Sequence, residues 1–184
     1  WLESKYRHLI DSAIKESGSF PLVVNYSVVI SKKSTGDIPK LISKDKPMPK
    51  GFHRQSQLNN RYIFDNFIEG KGNQFAKAAA FSVAETPGQT PFNPLLIYSP
   101  PGMGKTHLLQ AIGNFVLKNS PSMRVVYLTS DKFTLEFIIA IQQNKSAEFA
   151  NNYRNVDMLL IDDVQFFESK EGTQEQFFHI FNGL

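Results

Sequence analysis

A strand-to-helix junction at residues 95–106 limits the possible folds of this chain more than any other part of its sequence. Residues 95–98 form a short apolar run, residues 99–104 form a turn rich in Gly and Pro, and Lys105-Thr106 opens a segment with the apolar periodicity of a helix. A glycine turn at a helix N-terminus presents several backbone N–H groups to one small concave surface. The junction therefore predicts a phosphate-binding loop.

The residues of this loop suit a nucleoside triphosphate. Gly102 and Gly104 permit positive φ and a close approach of the backbone to phosphate. Lys105 is predicted to reach the β- and γ-phosphates, and the Thr106 hydroxyl is predicted to bind Mg²⁺. The strict pattern G-x-x-x-x-G-K-[ST] is not met, because Ser99 stands where its first Gly belongs.

An acidic pair follows another apolar run and completes the predicted site. Residues 158–161 indicate a buried strand, and Asp162 and Asp163 come directly after it. In a parallel sheet, ligands bind beyond the carboxyl ends of the strands, and both motifs are expected there. We expect Asp162 to hold Mg²⁺ and Asp163 to polarise the attacking water, so Lys105 and Asp163 are the candidate catalytic residues.

Asp163 also suggests a slow reaction. Many related ATPases carry Glu at this position, and the shorter Asp would hold the water less closely to the γ-phosphate. A positional error near ~1 Å can lower a rate about 100-fold. We therefore expect slow hydrolysis that serves as a timed switch. A fast steady-state ATPase rate of the intact protein would contradict this expectation.

Strands and helices alternate in the second part of the chain. Apolar runs and 3.6-residue periodicity predict strands at 94–98, 124–129 and 157–161, and helices at 72–85, 106–118, 146–153 and 171–184. A further helix is predicted after residue 129, with Ser130 or Asp131 as its N-cap. Apolar strands between helices indicate an α/β fold with a parallel sheet covered on both faces. The inward side chains expected on two of the helices are Phe133, Phe137, Ile138 and Ile141, and Phe177, Phe178 and Phe181.

The first third of the chain is interpreted as a separate unit and a tether. Helical spacing followed by an alternating run at residues 20–30 predicts the end of a small α+β module at 1–31. Residues 32–60 show no period and predict a flexible linker, which leaves an incomplete α/β domain at 61–184. The stretch 31–61 carries eight Lys or Arg and two Asp, which fits a solvated linker or a weak contact with an anionic surface such as DNA.

Composition excludes several classes of function. The chain has no Cys, which excludes disulfides, Cys-ligated zinc and thiol catalysis, and its four His lack the spacing of metal ligands. No apolar run is long enough to predict a membrane-spanning helix, and no signal-peptide pattern is present. Because helical spacing begins at Trp1 without a Met, we expect a fragment whose true start is missing.

Several segments together resemble the DnaA family of bacterial chromosomal replication initiators. The segments are 61–73, 93–98, 104–114, 160–167 and 170–182, and the likeness covers 61–184 almost continuously. The first 31 residues, best matched at Trp1-Leu-Glu-Ser-Lys-Tyr6, resemble the end of that family's N-terminal interaction domain. The resemblance implies an AAA+ ATPase that is active with ATP, inactive with ADP, assembles on the chromosomal origin, and promotes strand opening and helicase loading.

The resemblance also implies cofactors, partners and further site residues. The implied cofactors are ATP or ADP and Mg²⁺. The implied partners are origin DNA, single-stranded DNA, further copies of the chain, the replicative helicase and acidic phospholipids. The implied location is the cytoplasm, at the nucleoid. Adenine contacts are implied near 67–70 and 73. Together with the loop, the candidate nucleotide-binding residues are Ile68, Gly70, Asn73, Gly102, Met103, Gly104, Lys105, Thr106 and His107. The residues implied to contact single-stranded DNA are Ile138, Lys170 and Thr173.

Periodicity alone gives other interpretations of some of these positions. It favours Phe64 and Phe67 as core residues, and it favours Ile138 as core as well. The resemblance also implies that Gly172 departs from those family members that carry Arg at this position, which removes one phosphate contact. The nucleotide sensors, the arginine finger and the double-strand reading domain of the family would lie beyond Leu184, so we expect this segment to be inactive alone.

Three other functions remain open from the residues. A helicase-loader-type AAA+ ATPase would share the fold and act on a protein partner, and a downstream helix-turn-helix would favour the initiator over it. A small-molecule P-loop kinase would need an acceptor-binding lid and would transfer phosphate to a small acceptor. A non-hydrolysing scaffold would fail to bind ATP, and Lys105→Ala would change nothing.

Overall fold

The computed structural model describes residues 25–31 and 57–184. In chain order its elements are β1 (Asn25–Ser31), α1 (Gln74–Glu85), β2 (Leu95–Ser99), α2 (Lys105–Asn119), β3 (Val125–Thr129), α3 (Ser130–Gln142), α4 (Ser146–Arg154), β4 (Met158–Asp162) and α5 (Glu171–Phe181). All the strands and helices predicted after residue 61 are present. The helix predicted near the start of the chain and most of the predicted linker lie outside the described residues. Within the described residues, no helix has the length and apolar character needed to cross a membrane.

The sheet places both predicted motifs at one edge. Its strand order is β2-β1-β4-β3, and β1 is antiparallel to both of its neighbours, so β2 and β4 run in the same direction. β3 and β4 pair in parallel, from Val125 opposite Met158 to Thr129 opposite Asp162. The phosphate loop after β2 and the acidic pair at the end of β4 therefore lie beyond the same edge, as expected for a parallel arrangement.

The strand predicted at 20–30 is present as β1, but its partners differ from the sequence-based interpretation. That interpretation assigned it to a separate module, whereas the structure pairs it inside this sheet, with Val28 opposite Leu96 on one side and Ile161 on the other. Val29 is only 1% exposed. Two-residue alternation identifies a half-buried strand, but it carries no information about the strand to which it pairs. The division of the chain into domains stays a prediction.

Two hydrophobic cores lie on the two faces of the sheet. One joins α1 and α2 to the sheet, and its fully buried members include Leu109 and Ile112. The other is aromatic and is centred on Phe133, which has no exposed surface. The Phe133 ring lies 5.1–5.9 Å, between ring centroids, from the rings of Phe149, Tyr153, Phe167 and Phe177.

Helix α3 buries a narrower face than its composition indicated. Phe133 and Phe137 are in the core as predicted, but Ile138 and Ile141 are 44% and 50% exposed. Only one stripe of a helix can face the sheet, and the apolar residues of α3 extend beyond that stripe. The prediction that Ile138 and Ile141 are buried was therefore wrong.

Helix α5 and the start of α3 give two further corrections. In α5, Phe177 is buried, Phe181 is partly buried and Phe178 is 39% exposed. The N-cap of α3 is Thr129, whose hydroxyl accepts a hydrogen bond from the Lys132 N–H at 3.4 Å, and not Ser130 or Asp131. Ser130 is instead the first residue of the helix, and its hydroxyl donates to the Asp163 carbonyl at 2.6 Å.

Candidate nucleotide-binding site

The phosphate loop has the backbone conformation that its glycines predicted. Gly102 and Gly104 adopt φ of +82° and +90°, and Gly104 is the N-cap of α2. A Cβ at Gly104 would lie 2.7 Å from Cε2 of the buried Phe67 ring, so both conformation and space exclude a side chain there. The first N–H groups of α2 have no partner within the helix, and they are available to phosphate at this end of the sheet.

The Lys105 ammonium points back at the loop. Its Nζ donates hydrogen bonds to the carbonyl oxygens of Ser99 and Pro100 at 3.1 and 2.9 Å, and to the Ser99 hydroxyl at 3.3 Å. Ser99, the departure from the strict loop pattern, therefore adds an acceptor for Lys105. Lys105 is 8% exposed. Burial lowers the pKa of Lys105, and the carboxylates of Asp162 and Asp163 act in the opposite direction.

The Asp162 carboxylate is buried and oriented. It is 2% exposed at the end of β4. One of its oxygens accepts the Asp163 N–H at 3.0 Å, and the other lies 3.4 Å from the Tyr127 hydroxyl. Burial, followed by the Asp162 charge, raises the pKa of Tyr127 above its usual value, so its hydroxyl stays protonated and can donate.

Asp163 turns the chain at the end of β4 in a left-handed conformation. Its φ and ψ are 56° and 40°. The Ser130 hydroxyl donates to the Asp163 carbonyl at 2.6 Å, and the Gln165 side-chain amide donates to the Asp163 carboxylate at 3.3 Å. The sequence identified Asp163 as a candidate site residue, but it did not identify Ser130 and Gln165 as its partners. A single Ser or Gln next to a strand or helix is common in proteins and does not by itself indicate a functional site.

The donors at this edge suit magnesium better than a transition metal. Thr106 offers a hydroxyl in the first turn of α2, and Asp162 offers a carboxylate, both hard oxygen ligands. Within residues 25–31 and 57–184, no three His, Asp or Glu side chains gather into a metal-binding cluster. Mg²⁺ commonly binds through one or two protein ligands together with phosphate oxygens and water, which is the kind of site these residues fit.

The residues expected near adenine form a loop that approaches the phosphate loop. Asn73 closes this loop: its side chain donates to the Ile68 carbonyl at 3.1 Å and accepts the Gly70 N–H at 2.7 Å. Ile68 is 89% exposed. A Cβ at Gly72 would lie 3.8 Å from the Met103 side chain, so the two loops are neighbours. Phe64 and Phe67, predicted as core residues, are both 7% exposed and confirm that interpretation.

His107 contacts the chain leading into the domain. Its Nε2 lies 2.8 Å from the Ile63 carbonyl oxygen. Its ring centroid lies 5.0 Å from that of Tyr62 and 5.3 Å from that of Phe67. The structure therefore gives His107 a contact with residues 62–67, and its predicted role in nucleotide binding stays a prediction.

His107 belongs to a polar stripe on α2 that sequence reasoning missed. Gln110 accepts the Asn59 N–H at 2.8 Å, and the Asn114 side chain donates to the carbonyls of Asn59 and Tyr62 at 2.9 and 2.8 Å. The spacing i, i+3, i+7 puts these side chains on one face of the helix. This spacing was readable in the sequence, but the backbone groups that it binds were not.

The candidate DNA-contacting residues differ in exposure. Ile138 is 44% exposed, whereas Thr173 is 6% exposed. The Lys170 ammonium pairs with the Asp131 carboxylate at 3.2 Å on the surface. A Cβ at Gly172 would meet nothing within 4 Å, so this position is open.

Comparison with known proteins gives consistent matches. The family described as the bacterial DnaA ATPase domain matches residues 58–184. The crystal structure of domain III from the Thermotoga maritima replication initiation protein DnaA is 44% identical, with a TM-score of 0.64, over 70% of this chain and 53% of that one. The AMPPCP-bound DnaA of Aquifex aeolicus is 39% identical, with a TM-score of 0.62, over 70% of this chain and 40% of that one.

A structure described as replication initiator DnaA bound to AMPPCP and single-stranded DNA matches to the same degree. Its identity is 39% and its TM-score is 0.62, over 70% of this chain and 40% of that one. The chain thus spans 53% of the Thermotoga domain and 40% of the longer relatives.

Proposed function

Because the chain belongs to the bacterial DnaA ATPase-domain family, we propose that residues 58–184 form the nucleotide-binding part of a chromosomal replication initiator. The fold is that of the DnaA AAA+ domain. In this proposal, ATP and ADP bind at the loop 99–106. Slow hydrolysis then converts an active ATP form into an inactive ADP form.

The observation that carries this proposal is the meeting of the buried Lys105 ammonium, a glycine loop and two carboxylates at one sheet edge. Lys105 and the N-terminus of α2 supply the positive charge that a triphosphate needs. Asp162 and Asp163 lie close enough to act on the Lys105 charge. Relatives that bind the ATP analogue AMPPCP support ATP as the ligand, and this support favours the initiator over a non-binding scaffold.

Each residue of the site has a defined part in the proposed reaction. Lys105 moves from the loop carbonyls to the phosphates, and the backbone N–H groups of the loop hold the phosphate oxygens. Asp163 accepts a hydrogen bond from the attacking water and orients it. Thr106 and Asp162 would hold Mg²⁺, which neutralises charge on the phosphates when bound.

Thr106→Val tests the magnesium part of this site. The two side chains have nearly the same shape, but Val lacks the hydroxyl. We expect ATP affinity in millimolar Mg²⁺ to fall about 10-fold, which corresponds to about 1.4 kcal/mol, within the range for bonds to charged groups. In EDTA the affinity should stay within about 2-fold of that of the unmodified protein, and fluorescence titration with a labelled ATP measures both.

The matched control is Thr86→Val, at the C-terminal end of α1, where the hydroxyl donates to the Ser82 carbonyl at 3.3 Å. This control should leave both affinities unchanged. Equal losses in Mg²⁺ and in EDTA for Thr106→Val would show that the hydroxyl does not act through the metal.

Single-stranded DNA is the second proposed ligand. The relative solved with single-stranded DNA supports it, and Ile138 and Lys170 are both available on the surface. We expect Lys170→Ala to weaken DNA binding about 2- to 5-fold. It should also lower the slope of log affinity against log salt by about 0.7, the value for one phosphate contact to a single strand.

Fluorescence anisotropy with an oligothymidine at several salt concentrations measures this prediction. Lys145→Ala is the control, because Lys145 is also a surface lysine beside a carboxylate, that of Glu148 at 4.0 Å. An equal salt slope for Lys170→Ala and the unmodified protein would remove Lys170 from the DNA surface. Assembly on the origin, helicase loading, binding of acidic phospholipids and a place at the nucleoid in the cytoplasm are further proposals that rest on family membership alone.

A further inference from the structure

A chain of hydrogen bonds connects the buried Asp162 carboxylate to the segment that enters the domain. The Tyr127 hydroxyl, on β3, lies 3.4 Å from Asp162 Oδ2 on the neighbouring strand. The side chain of Gln110, on α2, lies within reach of the same phenol and acts to lower its pKa, as a donor to that oxygen does. The Gln110 side-chain oxygen in turn accepts the Asn59 N–H at 2.8 Å. Three elements and the entering segment thus converge on one carboxylate.

The chemistry of the groups gives this chain of hydrogen bonds one direction. The Gln110 oxygen is already an acceptor for Asn59, so Gln110 meets the phenol through its NH₂ group, as a donor. The phenol oxygen accepts that bond and donates its own hydrogen to the Asp162 carboxylate, which can only accept. The other Asp162 oxygen accepts the Asp163 N–H. Each carboxylate oxygen therefore has a donor that limits its rotation.

The burial of these polar groups increases the cost of losing one of their hydrogen bonds. Gln110 and Asp162 are 6% and 2% exposed, so water does not readily replace a lost partner. The Tyr127 ring packs against the hydrophobic core beside α2, and a Phe would fill the same space. The hydroxyl, and not the ring, is the part of Tyr127 that reaches the carboxylate.

We propose that Tyr127, supported by Gln110, is a positioning residue that orients the Asp162 carboxylate to bind magnesium. This inference rests on the proposed Mg²⁺–nucleotide site. Groups that hydrogen-bond to a ligating side chain commonly change metal affinity 10- to 100-fold when removed. The long 3.4 Å separation of the Tyr127 and Asp162 oxygens puts the expected effect at the lower end of that range.

The test compares ATP affinity of the whole chain with and without Mg²⁺. For Tyr127→Phe we expect the Mg²⁺ concentration that gives half of the full affinity gain to rise about 10-fold, while ATP affinity in EDTA changes less than about 2-fold. Gln110→Met, an unbranched replacement without the amide, should shift the same midpoint about 3-fold in the same direction. Neither measurement depends on hydrolysis.

Tyr153→Phe is the matched control. It removes a phenol that donates to another carboxylate, Glu136 Oε2, at 2.8 Å in the opposite core. It should lower the melting temperature without moving the Mg²⁺ midpoint. A second comparison uses Asp162→Asn: if Tyr127 acts through Asp162, adding Tyr127→Phe to that variant should change the midpoint by less than about 2-fold, a coupling that a double-mutant cycle measures.

The results of these experiments distinguish a failure of the positioning role from a failure of the proposed Mg²⁺–nucleotide site. An ATP affinity of the unmodified protein that does not respond to Mg²⁺ would overturn both the magnesium site and the positioning role. If Mg²⁺ raises the ATP affinity of the unmodified protein, and neither Tyr127→Phe nor Gln110→Met shifts the Mg²⁺ midpoint, the positioning role alone is overturned. If Tyr127→Phe does not fold, as judged by circular dichroism, Gln110→Met decides between these results.

Discussion

Lys105→Ala is expected to weaken ATP binding about 100-fold, in Mg²⁺ and in EDTA alike. The ammonium is the part of the Lys105 side chain that can pair with phosphate, and bonds to charged groups contribute about 1.5–3 kcal/mol. In the structure this ammonium donates to two loop carbonyls, so the loop is built to hold it near its ligand. Isothermal titration calorimetry with ATP and with ADP measures the loss.

The control for this variant is Lys118→Ala, which removes an exposed lysine near the other end of the same helix. It should leave ATP affinity unchanged. The stability of Lys105→Ala should be close to that of the unmodified protein, since burial disfavours the Lys105 charge, as the lowered pKa shows. Unchanged ATP affinity for a folded Lys105→Ala protein would remove the loop from the nucleotide site and with it the proposed function.

Phe133→Ala is expected to lower the free energy of unfolding by about 3–5 kcal/mol, the usual cost of deleting a buried aromatic ring. Phe133 has no exposed surface, and four aromatic rings surround it. Three of the four ring contacts are edge-to-face, and all four are lost together with the buried area. Because domains of this size have only about 5–15 kcal/mol of stability, the variant should unfold at much lower urea concentration.

Leu135→Ala is the control within the same helix. Leu135 is 58% exposed, so its truncation should change the free energy of unfolding by no more than about 0.5 kcal/mol. Urea denaturation followed by circular dichroism measures both variants. Similar unfolding midpoints for Phe133→Ala and Leu135→Ala would mean that the aromatic cluster does not support the sheet.

Features that depend on neighbours in the chain could be predicted from the sequence. The phosphate loop is one example, because an apolar run, two glycines and a helix start occupy 12 consecutive residues. Lys105, Thr106 and Asp162 follow from the same local patterns. Strands that alternate with helices indicate a parallel sheet, and the carboxyl ends of parallel strands lie at one edge. The positions of these residues at that edge could therefore be predicted.

Features that depend on pairing between distant segments could not be predicted. The position of β1 between β2 and β4 depends on pairing across more than 60 residues, which no local pattern encodes. The approach of Tyr127 to Asp162 depends on the register of β3 against β4. Periodicity assigned Ile138 to the core, because it shows which side chains of a helix are apolar. It does not show how much of that apolar face is covered by the sheet.

The left-handed backbone at Asp163 restricts which side chains evolution or an engineer can place there. Among residues other than Gly, Asn and Asp are the ones that most readily adopt φ near +56°, since their short polar side chains bond locally. A Glu would extend the carboxylate toward the water of the proposed hydrolysis, but it would have to adopt a conformation that suits it less. Chain geometry at this turn therefore opposes a longer carboxylate, and a faster form of the proposed ATPase would need the turn itself to be rebuilt.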